Sequence, residues 1–68
     1  MVYTHNILNE LASMMFAAGI TIESEVNTEN GMVRTVRSLE GKEWRLHYHG
    51  PEVIKIIRVY ADGTTQEV

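Results

Sequence analysis

The chain has 68 residues, 44% of them hydrophobic, no cysteine, one proline and a net charge of −3. That length gives one domain, residues 1–68, and excludes a Rossmann, kinase or barrel core, while the missing cysteines exclude a disulfide framework and a thiolate zinc site. The core must close by packing alone or by packing plus self-association, and the negative balance argues against generic nucleic-acid binding.

Charge is unevenly spread. Residues 1–33 carry Glu10, Glu23, Glu25 and Glu29 and no Lys or Arg. All six basic side chains fall in residues 34–58, and Asp62 and Glu67 follow them. The longest uncharged stretch, Leu11–Ile22, is too short to span a bilayer. No basic residue precedes it to make a signal-peptide start, so a cytoplasmic location without membrane attachment is expected.

In chain order, residues 5–18 read as an amphipathic helix. At 100° per residue, Ile7, Leu8, Leu11, Met14, Met15 and Ala18 share one stripe, and Phe16 falls opposite it. Thr4 or Asn6 suits the N-cap and Gly19 the left-handed C-terminal position. After Gly19 the period changes to two, and Ile20, Ile22 and Val26 alternate with Thr21, Glu23 and Glu25 as in a half-buried strand. Asn30-Gly31 reads as a type I′ turn into a second strand, Met32–Leu39. Glu40-Gly41 makes a two-residue turn into a third, Lys42–His49. Gly50-Pro51 breaks the chain again. Residues Val53–Tyr60 contain five β-branched side chains and read as a strand in preference to a helix. Asp62-Gly63 then returns a fifth strand, Thr64–Val68, with Arg58 opposite Glu67 and Ile57 opposite Val68. The expected fold is α+β: one helix packed on a curled five-stranded antiparallel meander. Helix followed by bent meander is similar in element order to the Sm-like RNA-binding domains.

A two-residue loop at Glu40-Gly41 pairs Arg37 with Trp44 and Thr35 with Leu46. That register places Trp44, Leu46 and Tyr48 under the helix. The outer face then holds Met32, Arg34, Val36, Arg45, His47, His49, Ile54, Ile56 and Tyr60. Five strands span roughly 19 Å and one helix about 10 Å, so a single helix leaves part of the sheet uncovered. A face mixing Met, Val, Ile and Tyr with Arg and His has the composition of an interface.

The chemistry-bearing candidates are few. His47 and His49 share a strand face but lack a placed third ligand. No serine stands in a glycine elbow, and the glycines are single turn residues, which gives no phosphate loop. No enzyme activity, metal or cofactor is expected. The expected function is a protein-interaction module, either a homodimer or a docking surface for another protein. Its partner-binding residues would be the nine outer-face side chains together with Phe16. The alternative is a small nucleic-acid-binding module using Arg34, Arg45, His47 and His49, with Tyr60 for stacking.

Overall fold

The structure is a computed structural model that describes residues 6–68. Thr4 and His5, at the expected start of the helix, lie outside the described residues. Element order is α1 (Ile7–Ala17), β1 (Thr21–Thr28), β2 (Gly31–Arg37), β3 (Glu43–His49), β4 (Glu52–Val59) and β5 (Thr65–Glu67). The strands form one open antiparallel sheet in sequential order, the α+β meander expected from the sequence. Among the described residues no helix is long and apolar enough to cross a membrane.

α1 is bounded at both ends by side-chain and backbone chemistry. Asn6 Oδ1 accepts from the amides of Leu8 (3.0 Å) and Asn9 (3.3 Å), which satisfies two of the unpaired first-turn donors. At the other end Gly19 has φ +100°. Its amide donates to Phe16 O (3.1 Å) and that of Ile20 to Met15 O (3.2 Å), a Schellman closure that turns the chain into β1.

The hairpins depart from expectation in one shared way. Ser38 N–H donates to Lys42 O (2.8 Å) and Gly41 N–H to Ser38 O (3.0 Å). The β4–β5 connection repeats this pattern, with Tyr60 N–H donating to Thr64 O (2.8 Å) and Gly63 N–H to Tyr60 O (3.0 Å). Both loops therefore have three residues, Leu39-Glu40-Gly41 and Ala61-Asp62-Gly63, rather than two. A type I′ turn requires positive φ at both central residues, and no described non-glycine residue has it. A three-residue loop needs positive φ only at its last position, where Gly41 (+88°) and Gly63 (+90°) supply it. In β1–β2 the closing pair is Thr28 with Gly31, so the turn is Glu29-Asn30 and not Asn30-Gly31.

One extra loop residue moves every partner by one position and exchanges the faces. Val36 pairs with Trp44, Arg34 with Leu46 and Met32 with Tyr48. Arg58 pairs with Gln66 rather than Glu67, and Ile57 with Glu67 rather than Val68. The helix-bearing face therefore holds Met32, Arg34, Val36, Trp44, Leu46, Tyr48, Val53, Ile56 and Arg58. The opposite face holds Val33, Thr35, Arg45, His47, Lys55 and Ile57. A bulge opposite His47 and Tyr48 makes Ile54 the unpaired residue of β4 and restores Val53 to the helix side.

The core consists of Ala12, Ile20, Val36, Leu46, Val53 and Ile56. α1 lies mainly over β4. Ala12 sits at the centre of its contact, with Leu8, Met15 and Phe16 on either side. The expected position of Phe16 is thus corrected, since it packs against the core. Ala12 is the buried residue of α1, and Phe16, four positions on and so on the same side of the helix, turns inward with it. Ile7 and Met14 turn outward.

Candidate functional site

The side chains expected on one outer face divide into three groups. Val36 is fully buried and Ile56 only 2% exposed, both beneath α1. Met32, Arg34 and Tyr60 also stand on the helix-bearing side. Only Arg45, His47 and His49 occupy the outer face, and Ile54, 54% exposed, projects from the bulge. The expected outer patch of apolar and basic residues is therefore not brought together, because the register that would assemble it is off by one.

The displaced residues have defined partners. The Arg34 guanidinium donates to Glu25 Oε2 through Nε (3.1 Å) and Nη2 (2.9 Å), and to the Tyr48 hydroxyl (3.2 Å), and lies over the Tyr48 ring at 4.9 Å. Arg58 lies between the rings of Trp44 (5.1 Å) and Tyr60 (4.6 Å), and the Tyr60 hydroxyl donates to Gln66 Oε1 (2.9 Å). Arg37 pairs with Glu23 and Glu43. These arrangements fix the rim of the sheet.

On the outer face His47 stands opposite Lys55 and two residues from Arg45. Partial burial and then the charges of Lys55 and Arg45 hold its pKa below the ordinary histidine value, with Glu67 opposing them. Among the described residues no three His, Cys, Asp or Glu side chains converge as metal ligands.

The feature that organises exposed apolar surface lies on the helix side. An open hollow of about 570 Å³ runs between α1 and the end of the sheet. Leu11, Met14, Met15 and Ala18 of α1 line it together with Ile20, Leu39, Trp44, Ile56 and Val68. Ser38, Glu40 and Lys42 edge it. Leu39 is 86% exposed, Met14 66% and Val68 62%, high values for large apolar side chains clustered around one groove.

Helix geometry explains why the groove exists. With Ala12 facing the sheet, the apolar side chains of α1 run from Phe16 on one side through Leu8, Met15, Leu11, Ala18 and Ile7 to Met14. This arc is about 200° wide, well beyond the ~100° that one contact uses. The sheet covers part of it and the rest lines the hollow. Sequence reading captured the lining residues Leu11, Met14 and Ala18 as the helix stripe but assigned them all to the core. It placed Leu39 at the end of the second strand on the helix-facing side, whereas the three-residue loop leaves it in the turn, 86% exposed.

Comparisons with protein-family models, with curated proteins and with solved structures return no match. The groove's own chemistry is the basis for a functional reading.

Proposed function

We propose that this chain is a protein-interaction module that binds through the apolar groove between α1 and the Leu39 loop. The observation that carries this reading is the cluster of Met14, Leu39 and Val68, exposed around a hollow that core side chains also line. Covering such side chains removes apolar surface from water at about 25 cal/mol per Å². The groove lining is apolar, and the charged groups at its edge are Glu40 and Lys42, which suits binding rather than chemistry. Relative to the sequence expectation, the role is the same and the surface has moved from the outer sheet face to the helix side. The nucleic-acid reading has less support, because Arg34 is engaged by Glu25 and Tyr60 lies across the sheet from Arg45.

A photoreactive benzoylphenylalanine in place of Leu39, compared with one in place of Lys55 on the outer face, tests the reading. Protein adducts are expected from the Leu39 position and not from the Lys55 position. Adducts only from Lys55 would return the role to the outer face, and adducts from neither would remove it.

A further inference from the structure

Resting on the groove reading, we infer that the groove's occupant is a second copy of this chain, docked about a two-fold axis that sets Leu39 of each copy into the hollow of the other. Three observations support a self-complementary contact. The first is that projection and recess lie side by side. Leu39 stands out from the rim of the same hollow that α1 and Trp44 enclose, and in a two-fold interface each copy supplies the same patch, so each patch must hold both shapes.

The second is charge. The rim carries one carboxylate and one ammonium, Glu40 and Lys42. The ion pairs of the described residues are Arg34–Glu25, Arg37–Glu23 and Arg37–Glu43, which leaves both rim charges unpaired. Glu40 and Lys42 flank Gly41, around which there is open space. An axis passing beside Gly41 brings Glu40 of one copy to Lys42 of the second and the reverse, which makes two symmetric pairs and leaves neither charge unmatched. A uniformly acidic or basic partner would match one and oppose the other.

The third is the size of the core. Among the described residues six side chains are buried, and the sequence has no cysteine. Chains this small commonly draw further stability from disulfides, metals or oligomerisation.

Sedimentation equilibrium on the full chain tests the inference through charge reversal. Wild type is expected at twice the 7.8 kDa of one chain. Glu40→Lys and Lys42→Glu each set like charges together at both ends of the contact, and each should weaken dimerisation at least about tenfold. Mixing the two variants restores opposite charges across the axis, so the mixture should dimerise again as a one-to-one pair. A monomeric wild type, a dimer indifferent to both reversals, or a mixture no tighter than its components overturns the inference. The crosslinking result separates it from the groove reading. A monomer whose Leu39 probe joins a protein of another mass ends the self-association inference and keeps the groove, and a monomer with no adduct ends both.

Discussion

Asn9 holds the backbone amide of Val53, its Oδ1 accepting from Val53 N–H at 2.8 Å, and Asn6 Nδ2 donates to the carbonyl of the same residue at 3.3 Å. Both polar backbone groups of Val53 are thus taken by side chains from the N-cap and first turn of α1, beside the bulge that interrupts β3–β4 pairing. A bulge leaves backbone groups without ladder partners, and a buried unpaired group costs about 1–3 kcal/mol. These two asparagines dock the helix to the sheet through chemistry rather than shape.

The two contacts are separable. Asn9→Ala removes the acceptor for Val53 N–H and should destabilise the chain by about 1–3 kcal/mol in urea unfolding. Asn6→Asp retains an oxygen for the Leu8 and Asn9 amides but replaces the donor to Val53 O with a carboxylate oxygen. Asn6→Ala loses the cap as well and should cost about 1 kcal/mol more than the removal of the Val53 bond alone. Equal effects for Asn6→Asp and Asn6→Ala would show that the cap contributes nothing.

The neighbouring isoleucines of β4 should respond very differently to truncation. Ile56 sits opposite Leu46 under α1, whereas Ile54 is the extra residue of the bulge. Ile56→Ala removes buried methyl groups and leaves a cavity, for a loss of about 2–5 kcal/mol, while Ile54→Ala should stay within about 0.5 kcal/mol. Similar losses at the two positions would mean that Ile54 and Ile56 share one face and that β4 carries no bulge between them.

That contrast marks where sequence reading succeeds and where it stops. Helix, five strands, their order and their approximate bounds follow from periodicity and from glycine punctuation, because those signals are local. Face assignment is not local. It depends on whether a loop has two residues or three, and Glu40-Gly41 and Asp62-Gly63 are compatible with either until the φ of the acidic residue is known. A slip of one residue moved Val36 and Ile56 from a supposed binding surface into the core. It also took Arg34 and Tyr60 away from Arg45 and His47. The groove was only partly legible, since an apolar arc on α1 states that surface must be covered and not by what.

The loop chemistry yields its own test. At Gly31 an added Cβ would lie 1.9 Å from Tyr48 O, so Gly31→Ala forces β2 away from β3. Gly41 has open space around it and is held only by its φ of +88°. Gly41→Ala should therefore cost about 1 kcal/mol, the conformational penalty, and Gly31→Ala clearly more. Gly41→Asn, which tolerates the left-handed region, should recover part of the loss. Thermal unfolding of the three variants ranks them, and a Gly31→Ala chain as stable as Gly41→Ala would contradict the close approach of the two strands.

The last prediction concerns pH. Burial and the cations Lys55 and Arg45 depress the pKa of His47 in the folded chain, so the folded state binds its proton less readily than the unfolded state does. For such a group the unfolded chain takes up more protons as pH falls, and stability declines with acidity. The contribution is fully present above the ordinary histidine value of 6.5 and is lost as pH falls from there through the lower folded value. His47→Gln, which cannot take up a proton, should flatten this part of the stability profile. Lys55→Gln should relieve the repulsion of the protonated ring and bring the folded value back toward 6.5, so the decline should be smaller and end at a higher pH. Urea midpoints measured from neutral to mildly acidic pH give the comparison, and an unchanged slope in His47→Gln would assign the decline to other groups.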